Sequence, residues 1–235
     1  MSMPPVPQSP NQTPLYPWGV PPGPPEKSRV GLMAAIIGGV FLLIVALLAT
    51  LILVGKKIDS SYPRAESTLT APGTLLDGHY KLAKDDSPTL GPPLEKSWRL
   101  SWDAKAVHGV VVAYHPSGGD QGELIVTGMY GRFRNSAGVR SRVLAGNGSQ
   151  HTEVKVIVPT MDVTPSGSRI KVSCEEVTRS WADGKTLSYP VCAWADGNTW
   201  ARVAYMTVYT ARSLDFEAAA RITLQIRSEM VKPIR

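Results

Sequence analysis

The feature that most constrains this chain is an uncharged apolar run from Val30 to Val54. As a helix rising about 1.5 Å per residue, the run extends about 37 Å, which exceeds the roughly 30 Å of a bilayer's hydrocarbon core. It is too long for the apolar part of a cleavable signal peptide, and no small-x-small cleavage site follows it. The sequence therefore predicts an uncleaved transmembrane helix over residues 30–55, with a signal peptide as the alternative.

Three small residues in this run, Gly31, Ala35 and Gly39, recur every four positions and therefore line one helical face. Such a face lets a second helix approach closely. Homodimerisation through the span, or packing of the span against a larger membrane complex, is one hypothesis. The alternative is ordinary span composition, in which Gly and Ala are common.

Residues 1–29 form a proline-rich segment, with ten prolines in the first 25 positions. Proline at this density excludes a regular helix or a packed core, so the segment is predicted to be a disordered cytoplasmic tail with polyproline II character. Tyr16 and Trp18 lie among these prolines and could form a docking peptide for a cytosolic partner. A solvated tail without a ligand is the alternative.

The orientation of the chain is predicted from its cysteines. The flanking charges do not decide it, since basic residues lie on both sides of the run: Lys27 and Arg29 before it, Lys56 and Lys57 after it. The only two cysteines, Cys174 and Cys192, follow the run and are close enough in sequence for a local disulfide. Disulfides persist in oxidising, extracytoplasmic compartments. We therefore expect a single-pass cell-membrane protein with a cytoplasmic N-terminus. The alternative to the disulfide is that both cysteines are unpaired and buried.

The remainder of the chain is predicted to be a stalk over residues 56–76, which carries Pro63 and Pro72, followed by one domain over residues 77–235. The formal net charge of +6 is modest and spread along the chain. It favours contact with the lipid bilayer or with acidic envelope polymers. The clustered Lys and Arg with interleaved aromatic residues that mark a nucleic-acid surface are missing from the sequence.

Periodicity gives a coarse secondary structure for this domain. Short runs typical of strands are separated by turn residues and cover 79–82, 109–114, 124–130, 153–158 and 170–174. A helix is predicted over residues 94–105, because Trp98 and Trp102 are four apart and share one helical face. A second short helix is predicted over residues 136–144.

The end of the chain carries the clearest patterns. A hairpin over residues 191–206 is predicted, with Asp196 and Gly197 supplying the positive φ angles of a two-residue turn. One face of this hairpin should be the core side, whereas Trp200 and Arg202 fall on the other; the core-side residues are Cys192, Trp194, Ala201, Val203 and Tyr205.

A C-terminal helix is predicted after Ser213 as its N-cap, with Asp215 and Glu217 in the first turn. Its apolar stripe comprises Phe216, Ala219, Ala220, Thr223, Ile226 and Met230. Together these elements predict an α+β fold, with a mainly antiparallel sheet packed by a long C-terminal helix and two shorter helices, preceded by a single transmembrane helix.

The sequence offers no signature of catalysis. No two of the four histidines have the spacing of a helical metal site, and no nucleophile elbow, phosphate loop or dinucleotide fingerprint occurs. His115 and Asp120 could meet across a Gly-rich loop, yet such a loop is ordinary turn chemistry. We therefore predict no catalytic residue, no cofactor and no metal.

Several short segments, taken in order, resemble a family of actinobacterial membrane-anchored proteins with a proline-rich tail, one span and a C-[GA]-W-[AG]-D hairpin. The matching segments are Leu69-Thr70-Ala71-Pro72, Gly78-His79-Tyr80-Lys81-Leu82, Gly128-Met129-Tyr130-Gly131, Val163-Thr164-Pro165, Cys174, Cys192-Ala193-Trp194-Ala195-Asp196 and Arg227-Ser228-Glu229-Met230. The resemblance implies an extracytoplasmic domain with a bridge between Cys174 and Cys192. It implies no activity, since the family has no established function.

These observations favour a non-catalytic extracytoplasmic module that binds or scaffolds a protein, lipid or envelope component. Two alternatives belong to other classes. One is an accessory subunit that packs against a membrane complex through its span. The other is an envelope-acting hydrolase, which would need a cleft containing a partnered group such as His115 with Asp120.

Overall fold

The computed structural model describes residues 29–119, 122–145, 154–181, 183–207 and 215–234. Four helices lie in these ranges: α1 (Arg29–Ser60), α2 (Ser87–Trp98), α3 (Ser136–Ala145) and α4 (Phe216–Met230). Ten strands accompany them: β1 (Ser67–Leu69), β2 (Thr74–Leu75), β3 (Tyr80–Asp85), β4 (Ala104–Pro116), β5 (Gly122–Phe133), β6 (Val154–Asp162), β7 (Val172–Ser180), β8 (Thr186–Ala195), β9 (Thr199–Thr207) and β10 (Val231–Pro233).

The chain divides into two compact units, Met1–Leu53 and Val54–Arg235. The described part of the first unit is helical. The stretch Ala35–Lys57 of α1 has a mean hydropathy of 3.0 and none of its most apolar part is buried, so this helix is long and apolar enough to cross a membrane. The predicted helix over residues 30–55 is thus confirmed as a helix, whereas the proline-rich segment before Arg29 lies outside the described residues.

The second unit is built on an eight-stranded sheet with the order β2-β3-β4-β5-β9-β8-β7-β6. Every neighbouring pair is antiparallel. All five strand segments predicted from periodicity overlap strands of this sheet, β3 to β7. Helix α4 packs on one face, and α2 and α3 pack on the other. The predicted α+β class is therefore confirmed.

The face covered by α4 carries the larger core. The five core-side residues predicted for the hairpin all belong to it, as do Ala219, Ala220, Ile226 and Met230 of α4. Thr223 of α4 is also fully buried. The hydroxyl of Tyr205 lies 2.8 Å from that of Thr223, so the one polar group of this ring is satisfied inside the core. The pKa of Tyr205 is raised, chiefly because burial disfavours the phenolate.

Cys174 and Cys192 form a disulfide between β7 and β8. The two residues are direct cross-strand partners, and both are fully buried in the core under α4. The bridge expected from the sequence is therefore present, and the alternative of two unpaired cysteines is wrong.

The cap of the last helix differs from the prediction. Asp215, not Ser213, is the N-cap, because its side chain accepts a hydrogen bond from the Glu217 backbone N–H. Ser213 lies outside the described residues.

The helix predicted over residues 94–105 is wrong in its bounds. Helix α2 begins earlier, at Ser87, and ends at Trp98, whereas Ala104 already pairs with Phe133 in the sheet. Long-range pairing of β4 with β5 therefore overrides the local pattern. Trp98 is 5% exposed and Trp102 is 74% exposed, so the two tryptophans do not share a packed face. Helix α3, in contrast, matches the prediction to within one residue.

The turn of the β8–β9 hairpin also differs from the prediction. Neither Asp196 nor Gly197 has a positive φ. Instead, the carboxylate of Asp196 accepts the backbone N–H groups of Asn198 and Thr199 at 2.8 and 2.7 Å. This side-chain-capped turn needs no left-handed residue.

The folded domain begins earlier than the predicted boundary at Asp77. Within the segment assigned to a stalk, β1 pairs with β10, and Leu69 and Leu75 are 3% and 0% exposed. These two leucines are buried in the core under α4, so the second half of that segment is part of the domain.

Candidate functional site

A cleft with a volume of about 430 Å³ lies between α2 and α3. Its floor is Thr127 of β5 with Trp200 and Arg202 of β9, and Thr127 and Arg202 are direct cross-strand partners. One wall comes from α2 and the other from α3. The wall residues are Leu94, Ser97 and Trp98 on α2, and Arg142 and Val143 on α3.

Two local features set the walls in place. Helix α2 approaches β4 at Gly91 and Gly109, where a Cβ added to Gly109 would lie 2.8 Å from the Gly91 Cα. Only residues without side chains allow this contact. Helix α3 begins where the Asn135 side chain accepts the Gly138 backbone N–H at 3.0 Å. The gap between the two helices exposes the sheet below.

The guanidinium of Arg142 crosses this gap and lies 4.4 Å from the centre of the Trp98 ring. It also donates to the Ser101 hydroxyl at 3.2 Å and to the Ser97 carbonyl at 3.5 Å. All of these partners are neutral. Among the residues that the structure describes, Arg142 forms no ion pair, so its charge is balanced by no neighbouring carboxylate.

Arg202, on the floor of the cleft, is the second cation of the lining. Burial lowers the pKa of Arg202, whereas the neighbouring Tyr189 and Glu175 act in the opposite direction. Glu175 is only 2% exposed and accepts a hydrogen bond from Thr160 at 2.7 Å. The described residues that line the cleft thus include two guanidinium groups and no carboxylate, with Glu175 near Arg202, and this excess of positive charge favours an anion.

The aromatic side of the cleft is formed by Trp98 and Trp200, whose rings are 5.4 Å apart with an interplanar angle of 34°. The indole Nε1–H of Trp200 is enclosed and has no hydrogen-bond acceptor in the described part of the chain. An enclosed donor without an acceptor costs about 1 to 3 kcal/mol. The two tryptophans are only 5% and 2% exposed, so each contributes a small part of its surface to the lining.

A second polar cluster surrounds the last turn of α1 and belongs to the unit that starts at Val54. Arg132 donates to the Asp59 carboxylate at 2.9 Å and to the backbone carbonyls of Asp59 and Pro63 at 2.8 and 2.7 Å. Lys105 donates to the same carboxylate. The Tyr62 hydroxyl donates to the Trp102 carbonyl at 2.7 Å. Residues 59–63 are therefore fixed to the ends of β4 and β5.

The histidines that the structure describes do not form a site with one another. His115 is exposed and lies 4.0 Å from Glu123, and the Asp120 proposed as its partner lies outside the described residues. His108 stacks on Tyr130 at 4.9 Å. Within the described ranges, no group of three metal-ligating side chains occurs.

The small-residue face of the span is described only in part. Ala35 and Gly39 lie on α1, and a Cβ added at Gly39 would contact nothing within 4 Å. Gly31 is within α1, but its surroundings lie outside what is described.

Sequence reasoning missed the cleft, although one signal for it was present. Arg202 lies between Trp200 and Ala204 on one face of β9, so a cation interrupts an apolar stripe. A charge in such a position is held by a buried polar group or by a ligand. Two other cavities, of about 450 and 570 Å³, lie at the N-terminal end of α4.

Comparisons with models of known families, with curated proteins and with solved structures return no match to this chain. The resemblance stated from the sequence motifs is therefore untested and stays an expectation.

Proposed function

We propose that this chain is a single-pass membrane protein whose C-terminal domain lies outside the cytoplasm and acts as a non-catalytic binding module. The observation that carries the binding role is the α2–α3 cleft, in which Arg142 lies over Trp98 without a counter-ion. The ligand is a small organic anion, with a carboxylate or phosphate for the guanidinium groups and an apolar body for the apolar part of the lining, which includes Leu94 and Val143.

Two features support the membrane location. The first is the apolar helix Ala35–Lys57, whose most apolar part is wholly unburied, unlike a core helix of a water-soluble protein. The second is the buried disulfide between Cys174 and Cys192, a bond that is rare in the reducing cytosol. Because the domain contains this disulfide and follows the span, an extracytoplasmic location is favoured.

Orientation can be tested with an added thiol, because both native cysteines are bonded and buried. Lys185, whose side chain is 81% exposed, is a suitable site for a Lys185→Cys variant. We expect a membrane-impermeant maleimide to label this variant in intact cells. Labelling only after permeabilisation would assign the domain to the cytoplasm and overturn the proposed location.

The binding role can be tested with naphthoate, which carries both required chemical features, and with uncharged naphthylmethanol as its control. The full chain in phosphatidylcholine nanodiscs is titrated while tryptophan fluorescence is recorded. Naphthoate is expected to bind more tightly than naphthylmethanol. An Arg142→Gln variant is expected to weaken naphthoate binding about tenfold, as the loss of one charge-assisted hydrogen bond implies.

The matched control is Arg179→Gln, which makes the same change at a cation–π pair outside the cleft. Arg179 lies 5.3 Å from the centre of the Trp181 ring. This variant is expected to bind naphthoate like the unaltered chain. Equal affinities for all three proteins would exclude the cleft as the binding site.

A further inference from the structure

The turn that joins α2 to β4 exposes two large apolar side chains. Leu100 is 92% exposed and Trp102 is 74% exposed, although both lie close to the core residue Trp98. We call residues 100–102 the apolar loop. The loop is ordered, since the Ser101 backbone N–H bonds the Trp98 carbonyl at 2.9 Å and the Ser101 hydroxyl accepts from Arg142. The two apolar side chains are therefore exposed on an ordered loop.

The apolar loop is held beside the point where the chain leaves α1. The Trp102 carbonyl accepts the Tyr62 hydroxyl, and Tyr62 is two residues beyond Ser60, the last residue of the helix. This hydrogen bond, between residues 40 apart in sequence, holds the Trp102 backbone near the end of the apolar helix. Asp59 with Arg132 and Lys105 fixes the same joint.

The spacing suits the headgroup region of a bilayer. The candidate span ends at Lys57, and the helix ends at Ser60, so the last helical residues rise about 5 Å. The headgroup region on each side of the hydrocarbon core is about 5 to 8 Å thick. Tyr62 and the loop that it holds therefore lie within reach of that region.

The chemistry of this surface also fits lipid. Tryptophan and tyrosine concentrate at membrane–water interfaces, where their apolar rings and polar groups are both satisfied. Exposed Arg99 adjoins Leu100, so a cation lies next to the apolar side chains. Cations near the headgroups attract anionic lipids. A second copy of the chain fits less well, because two side chains bury far less than the roughly 800 Å² per partner of a stable protein interface.

We infer that the apolar loop inserts into the lipid headgroup layer and, with Tyr62, acts as a second membrane contact that fixes the domain against the bilayer. This inference rests on the membrane anchoring proposed above. The partner is the lipid surface itself, and the contact needs no change in the fold.

The test places an environment-sensitive nitrobenzoxadiazole label on a Leu100→Cys variant of the full chain. The protein is reconstituted in vesicles of phosphatidylcholine and phosphatidylglycerol that contain a headgroup-attached spin label as quencher. The matched control is the same label on Lys185→Cys, in the loop between β7 and β8 at the far end of β8 from the Asp196 turn. Both sites are strongly exposed, so neither substitution disturbs the core.

We expect the label at position 100 to emit at shorter wavelength and to be quenched at least about twofold more strongly than the label at position 185. Equal quenching at the two sites would overturn the inference. A blue shift without lipid quenching would assign the loop to a protein contact and would overturn it as well.

Flotation of the vesicles after an alkaline wash separates the two proposals. A chain that does not float with the vesicles contradicts the membrane anchor itself. A chain that floats but shows no preferential quenching at position 100 contradicts only the insertion of the loop.

Discussion

Arg227 of α4 donates two hydrogen bonds to one carboxylate oxygen of Asp196, from Nε at 3.1 Å and from Nη2 at 2.7 Å. The other oxygen of Asp196 accepts the backbone N–H groups that close the β8–β9 turn. The Arg227 and Asp196 side chains are 24% and 20% exposed, so water screens the pair only in part. One carboxylate therefore joins the last helix to the hairpin that carries the disulfide.

Replacing Asp196 by Ala is expected to lower the free energy of unfolding by about 2 to 3 kcal/mol, because both the turn and Arg227 lose their acceptor. Asp196→Asn keeps an oxygen for the turn and should cost about half as much. The measurement is urea unfolding of the detergent-solubilised chain, followed by tryptophan fluorescence. An Asp196→Ala variant as stable as the unaltered chain would show that the carboxylate does not hold the helix.

Replacing both Cys174 and Cys192 by Ala is expected to lower the free energy of unfolding by about 3 kcal/mol, since the bridge closes a loop with a sequence separation of 18. The same urea titration measures it. Reductant provides the control: the buried bond should resist reduction in the folded protein and should break only in urea. Equal midpoints for the double variant and the unaltered chain would contradict the expected role of the bridge.

Gly109→Ala is expected to destabilise the domain by about 1 to 3 kcal/mol, because the added methyl would overlap the backbone of Gly91 and push α2 away from β4. Gly73→Ala is the matched control, since a Cβ there would contact nothing within 4 Å. Thermal unfolding compares the two variants. A control that loses as much stability as Gly109→Ala would refute the steric explanation.

Acid is expected to weaken the joint around Asp59. Hydrogen bonds from Lys105 and then Arg132 hold the pKa of Asp59 below its ordinary value. A depressed carboxyl pKa contributes stability above the unfolded value of about 4, and this contribution is lost as the pH falls through the folded value. The stability difference between the unaltered chain and Asp59→Asn should therefore persist at neutral pH and shrink below about pH 4. A difference that grows on acidification would contradict this assignment.

Much of the fold could be predicted from the sequence where one face of an element is buried against a single neighbour. The alternation in β8 and β9 separates Trp194 and Val203 from Trp200 and Arg202, and the structure has these pairs on opposite faces of the sheet. The stripe of α4 was equally clear. Such patterns record burial directly, because each side chain in them contacts either the core or water.

Local sequence patterns predicted the wrong bounds where long-range packing determines where a helix begins and ends. Pro88, Pro92 and Pro93 all lie within α2, whereas the helix predicted from the sequence begins after them. The close approach of Gly91 to Gly109 and the pairing of β4 with β5 set the actual bounds. The cleft is even harder to predict from the sequence, since its walls come from two helices and its floor from two strands. Sequence patterning can place Arg202 on a face but cannot say which elements leave that face open.

The two edge strands of the eight-stranded sheet affect how closely copies of the domain can pack without joining. At one edge, β2 has only two residues; at the other, β6 contains Pro159 and its pairing with β7 shifts register twice. Neither edge offers the long row of free N–H and C=O groups onto which another strand can add. The membrane anchoring proposed above would confine the domain to two dimensions, where neighbouring copies collide often. Domains built in this way can be packed densely on a surface without joining their sheets into aggregates.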